Sequence, residues 1–257
     1  MRLFRILLLL LVLLAVAIYT QAQRLNTTNW AEPLEVVIFP ASSSSDRVTR
    51  DYLDSLSTRD FAGIADFITR EARRYDDLIS DPALVRLGEP LESPPPAPPQ
   101  PQANLLRNVW WSLKFRLWAW RNTPDDDSNF RRVRIFTVYH RADGNERLPH
   151  SVGVQKGLLG LVHAYADAGM TTRNNVVIAH ELLHTLGASD KYGAGSLPRY
   201  PEGFAEPERS PLFPQRKAEI MGGTIAVSEQ TSIMPNSLRQ CVVGPLTAAE
   251  IGWIKEW

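Results

Sequence analysis

An α+β or α/β domain built on a mixed, twisted sheet is the fold class the sequence predicts, and three observations carry it. Residues 34–39 form an apolar, β-branched run interrupted only by Glu35; residues 133–139 alternate as a half-buried strand does; and apolar positions at helical spacing recur between and after them. The chain has 257 residues, 44% hydrophobic and 22% charged, enough for one sizeable core. Lys+Arg 28 balances Asp+Glu 28, so the basic excess that draws a protein onto nucleic acid is missing. The single cysteine, Cys241, rules out an intrachain disulfide and a cysteine-based zinc cluster.

Along the chain, residues 1–22 read as a signal peptide or an N-terminal membrane anchor. Arg2 and Arg5 precede an uncharged run at 6–18, shorter than a comfortable bilayer span and followed by small and polar residues. Export to the periplasm or the exterior is the expectation, with membrane association through the N-terminus if the segment is retained. Residues 23–257 are then one domain. Its first strand, 34–39, is expected to stop at Pro40 and the serines after it. Residues 58–75 place Phe61, Ile64, Ala65, Ile68 and Ala72 on one helical face, with Thr58 or Asp60 as cap. Seven prolines within 90–102 predict an exposed, polyproline-like connection.

Residues 105–121 form a Trp-rich helix. Leu106, Val109, Trp110, Leu113, Leu117 and Trp120 share its apolar stripe, expected to pack on the core while the interleaved Arg and Lys reach water; the rival reading is a membrane-surface or partner-binding helix. After the strand at 133–139 comes a loop at 142–153 and a second strand at 157–165, on which His163 and Tyr165 are expected to be exposed. Thr171, Thr172 and Asn174 offer caps for a helix that runs to about Leu186 and stops at Gly187. A proline-punctuated, loop-rich part follows, and the capping box Thr247-Ala248-Ala249-Glu250 opens a final helix carrying Ile251, Trp253 and Ile254.

The chemistry lies in His180-Glu181-Leu182-Leu183-His184. Histidines four apart share one face of a helix, so both imidazoles can reach one zinc ion, while the glutamate between them is offset toward the water that the metal holds. The flanks, Val176 to Ala179 and Leu182-Leu183, are apolar nearly all round, which puts this helix inside the protein. Buried histidines and a buried glutamate without partners are costly, and a shared cation satisfies them. A catalytic zinc needs a third protein ligand, and no histidine follows His184. Gly187 lets the chain leave the helix sharply, and Asp190, three residues further, is the natural third ligand. Glu202, Glu206 and Glu208 are the alternatives.

The eleven residues 180–190, read as H-E-x-x-H-x-x-G-x-x-D, resemble the metzincin metallopeptidases and, with aspartate in third place, the small snapalysin group within them. The resemblance implies a metzincin-like catalytic domain with an active-site helix and a loop-rich C-terminal subdomain ending in a helix. It also implies a methionine turn beneath the metal, for which Met221 and Met234 both qualify. The strand around 158–165 would be the sheet edge that takes an extended substrate by strand addition. The expected function is a zinc-dependent endopeptidase acting on peptide or protein substrates. His180, His184 and Asp190 would hold Zn²⁺, and Glu181 would activate the zinc-bound water. Tyr192, two residues after Asp190, is read first as a packing residue, with donation to an oxyanion as its other role. The alternative function is a zinc-stabilised, catalytically inactive, envelope-associated binding domain; Glu181 favours the enzyme, because a structural zinc site has no need of a base.

Overall fold

The computed structural model describes residues 28–75, 80–99, 104–123, 132–142, 148–154 and 158–254, with isolated positions between 4 and 14. The expected signal or anchor at 1–22 otherwise lies outside the described residues, and no described helix is long and apolar enough to cross a membrane.

Mixed α/β architecture is what the chain adopts, centred on a five-stranded sheet. The strands are β1 (Leu34–Ser42), β2 (Ala83–Leu87), β3 (Arg132–His140), β4 (Val152–Val154) and β5 (Leu159–Tyr165). Their order is β2-β1-β3-β5-β4; the first four are parallel and β4 runs antiparallel to β5. β1 and β3 are buried on both faces, as near-continuous apolar strands in a parallel sheet must be.

Alternation divides the core. Val36, Ile38, Val133, Ile135 and Val162 face helices α2 (Ala62–Ala72) and α4 (Thr171–Leu186), while Val37, Phe39, Phe136, Val138 and Leu161 face α3 (Leu105–Asn122). A lower part of short strands follows α4: β6 (Ala218–Glu219) pairs with β9 (Cys241–Val242), and β7 (Ile225–Ala226) with β8 (Ser232–Ile233). The closing helix is α5 (Pro245–Glu250). Trp30 donates from Nε1 to the carbonyl of Ile251 at 2.8 Å, tying the start of the domain to its end.

Several sequence expectations are corrected. β1 does not stop at Pro40 but runs on to Ser42. The Pro40 carbonyl accepts from Leu91 N on the β2 side, beyond the last β1–β2 pair, so the missing N–H falls where the sheet has no strand to feed. The segment expected as one helix from 58 begins as a 3-10 turn, Thr58–Phe61, whose cap is Ser57; Asp60 is its capping-box partner rather than the cap. Two elements were not anticipated, helix α1 (Arg47–Ser55) and strand β2. The first is nine residues long with only Val48, Tyr52 and Leu53 apolar, and the second spans only five residues.

The proline segment is not wholly exposed. Pro95 is buried, and the Pro96 carbonyl accepts from Trp111 Nε1 at 2.9 Å. The final helix starts at Pro245 and ends at Glu250, with no capping box. Thr247 Oγ1 donates to buried Glu219 and the Glu250 carboxylate is engaged by Lys191 and Ser189, so both side chains of the box are taken. For α4, neither Thr171 nor Thr172 caps. Asn174 instead exchanges hydrogen bonds with the backbone of Tyr165, prolonging the edge of the ladder into the helix.

The largest reversal concerns α3. Its buried residues are Phe115 and Ala119, which with Trp111 and Trp118 pack on Phe136, whereas the stripe assigned to the core faces outward. Both faces of this helix are apolar, and the wider stripe is not the one the sheet accepts. On β5, His163 is buried rather than exposed and stands 2.8 Å from His140 across the β3–β5 pair; burial first, then the neighbouring histidines, hold its imidazole down to about 4. Nor is β5 a sheet edge: it pairs with β3 on one side and β4 on the other.

Glu35 joins three strands, its carboxylate meeting Arg86 of β2 at 2.8 Å and Arg132 of β3 at 2.7 Å. Burial pushes its carboxyl up, but the two guanidiniums outweigh this and hold it below the usual range. A depressed folded value stabilises above the unfolded pKa of about 4.3 and is lost as pH falls through the folded value. Glu35→Gln is therefore expected to flatten the acid limb of a denaturation-midpoint profile between about pH 5 and pH 3. An unchanged acid limb would remove Glu35 from the account.

Candidate metal centre

Helix α4 is buried along most of its length because Val176, Ile178, Ala179, Leu182, Leu183 and Leu186 all join the core. Gly187 ends it in the left-handed region, at φ 112°, where a side chain would be strained. Its N–H bonds back to the His184 carbonyl, and Ala188 N to that of Leu183. The chain thereby reverses in three residues and returns Asp190 to the face of the helix that carries both histidines.

At that point three ligand atoms converge. His180 Nε2 and His184 Nε2 lie 3.1 Å apart, and Asp190 Oδ1 lies 3.3 Å from the first and 3.1 Å from the second. The other ring nitrogens settle the tautomers. His180 Nδ1 is 2.9 Å from the Ile220 carbonyl and His184 Nδ1 is 2.7 Å from the Ala188 carbonyl. A carbonyl only accepts, so both Nδ1 atoms carry protons, and in its neutral form each ring turns its Nε2 lone pair toward Asp190. Asp190 Oδ1 has no hydrogen-bond partner of its own.

Three electron-rich atoms facing one another without a donor are what a cation would satisfy. Zinc bound tetrahedrally at about 2.0–2.1 Å separates its N and O ligands by about 3.3 Å, close to the spacings found. Among the described residues, this is the one group of three such side chains able to hold a metal ion. The carbonyl contacts at Nδ1 are the outer partners that metal-binding histidines use.

Electrostatics follow the geometry. Burial raises the Asp190 carboxyl, but the two imidazoles against it prevail and hold it well below the usual carboxylate range. His180 is disfavoured as a cation by burial, yet Asp190 and Glu181 carry its value above the ordinary one. Glu181, 5% exposed, is raised by burial against the pull of His180 and His184, and its Oε2 has no hydrogen-bond partner. Tyr192 is pushed up to about 12, by burial first and then by Asp190, and its ring stacks on that of His180 at 6.3 Å.

A pocket of about 310 Å³ opens beside Glu181 and His180. Its apolar wall includes Leu148, Pro149, Val177, Ile220 and Met234, and His150 and Tyr192 supply polar atoms. The edge strand β4 passes close by: a Cβ on Gly153 would stand 2.4 Å from the Cβ of His184 and 2.7 Å from the Glu181 carbonyl, so only glycine lets strand and helix come so near.

Next to the cluster runs the turn Ile220–Gly222. Ile220 holds His180, and the Met221 carbonyl accepts from Lys191 N at 2.8 Å, next to Asp190. Met221 is fully buried, whereas Met234 lines the pocket. Glu219, also fully buried, accepts from Gly222 N, Gly244 N and Thr247 Oγ1, stapling this turn to the start of α5. Burial raises its carboxyl, and these donors work against the rise. Lys191, 3% exposed, pairs with Glu250 at 2.6 Å and anchors the segment carrying Asp190.

The structure therefore brings together His180, Glu181, His184 and Asp190. The alternative ligands Glu202, Glu206 and Glu208 are not part of the cluster, and Glu206 is instead joined to Arg209. His150, Gly153 and Glu219 were missed in the sequence. No motif marks them, although a glycine inside an alternating segment such as 152–154 is itself a sign of close backbone approach. The chain matches no protein-family model, and no curated protein is significantly similar to it in sequence.

Proposed function

We infer that the chain is a zinc-dependent endopeptidase of metzincin type, exported and acting on peptide or protein substrates, with His180, His184 and Asp190 holding the metal and Glu181 as general base. The observation that carries the reading is the buried, unpartnered Oε2 of Glu181 beside three converging ligand atoms and an open pocket. The H-E-x-x-H-x-x-G-x-x-D wording and the turn carrying buried Met221, whose neighbour Ile220 contacts His180, add support.

Bound there, zinc would supply Lewis-acid polarisation of the substrate carbonyl and a lowered pKa for the attacking water. The chain's own residues do the rest. Glu181 Oε2, with no competing donor, accepts the proton of the attacking water and passes it to the leaving amine; burial raises its pKa toward the range in which both transfers are easy. Tyr192 keeps its proton throughout the working pH range and donates toward the oxyanion. The antiparallel edge strand β4 offers its outer backbone groups to an extended substrate, in the role first assigned to 158–165. Gly153 brings that edge within reach of Glu181. The adjoining apolar pocket receives a substrate side chain.

Incubating the purified protein with a mixed peptide library is the test. Internal cleavages that stop on chelation and return with added zinc are expected, and cleavage indifferent to chelator, or none with zinc present, would overturn the reading.

A further inference from the structure

Helix α3 carries an apolar face that nothing in the described fold covers. Leu105, Leu106, Val109, Trp110, Leu113, Leu117 and Trp120 are all exposed, Leu106 by 77% and Trp120 by 64%. At 3.6 residues per turn they span one sector of about 140°, with half-buried Arg116 near one margin of it, and they face away from Phe115 and Ala119, which fasten the helix to the sheet. A continuous stripe of this kind marks an interaction surface rather than scattered surface leucines.

Charge indicates what the surface meets. Arg107, Lys114 and Arg121 recur at intervals of seven, all exposed, so they form one row along the border of the stripe. Lys114 Nζ stands 5.6 Å from the centre of the Trp110 ring, its stem lying along the apolar face. The eighteen residues of α3 include no aspartate or glutamate, in a chain where acids and bases are equal in number. A second copy of the same face would set basic rows together with no acid on either helix to answer them. An anionic bilayer surface satisfies both features at once: Trp and Leu side chains enter the acyl boundary, and the basic row meets the headgroups.

We propose that the exposed face of α3 docks the protein in the plane of an anionic membrane, with Trp110 and Trp120 in the interface and Arg107, Lys114 and Arg121 on the headgroups. Because α3 and α4 cover opposite faces of the sheet, docking holds the metal centre on the side away from the bilayer. This surface is distinct in sequence from the N-terminal segment, and it does not depend on the proposed chemistry.

Vesicle co-sedimentation of the full chain tests it, using phosphatidylcholine alone and phosphatidylcholine mixed with phosphatidylglycerol. The parent is expected to partition onto the mixed vesicles, less so as salt rises, with tryptophan emission quenched by lipids brominated in the acyl chain. The triple substitution Leu106→Ser, Leu113→Ser and Leu117→Ser keeps every tryptophan and touches no buried side chain. It should weaken partitioning by about 100-fold and abolish the quenching. Replacing Arg107, Lys114 and Arg121 by Gln should cost about 100-fold on the mixed vesicles and little on the neutral ones. Three results would overturn the proposal: a parent that ignores anionic vesicles, variants that bind and quench as the parent does, or a lipid-free dimer that the leucine variant converts to monomer.

Discussion

Glu181→Gln is expected to lower peptide hydrolysis by about 10²–10⁴-fold while fold and metal content stay as they are. The carboxylate is 5% exposed and its Oε2 has no hydrogen-bond partner, so an amide of the same size fits the space without displacing a contact. Burial already disfavours the charged form, so a neutral side chain should leave stability equal or higher. What the amide cannot do is accept a proton. Turnover measured at matched zinc content, beside a thermal melt, separates the two effects. Parent-like turnover in the variant would place proton transfer elsewhere, with His150 in the same pocket the next group to replace.

His180→Ala and His184→Ala should each weaken zinc binding by more than the about 10–100-fold that loss of an outer partner costs, because a direct ligand is removed. Each also leaves a carbonyl, Ile220 or Ala188, without its ring N–H. Hydrolysis should then fall with metal content. Restoration at high zinc would separate a weakened site from a misfolded one, whereas parent affinity in either variant would exclude that histidine as a ligand.

How much of this was legible beforehand depended on whether the signal was local. The motif at 180–190 could be read because helical spacing and one glycine decide it: positions four apart share a face in any helix, and Gly187 at positive φ turns the chain back within three residues. β1, β3, β5 and α4 could be read from period and composition, since strands and helices buried nearly all round leave little choice. Face assignment failed on α3, where two apolar faces compete and only the aromatic cluster of Phe115, Trp118 and Phe136 decides. The sequence favours β5 over the actual edge strand β4, because β4 is three residues long and β5 carries the stronger apolar run. Glu219 was invisible for a related reason: its partners Gly222, Gly244 and Thr247 come together only when the loops after α4 are folded.

Everything proposed for the site requires that His180, His184 and Asp190 jointly hold a single metal ion. Elemental analysis of the protein after zinc loading and exhaustive buffer exchange tests it most directly, with Asp190→Ala measured beside the parent. One zinc per chain in the parent and substantially less in Asp190→Ala is the predicted result. A parent that retains no zinc, or an Asp190→Ala protein that retains as much as the parent, would contradict it.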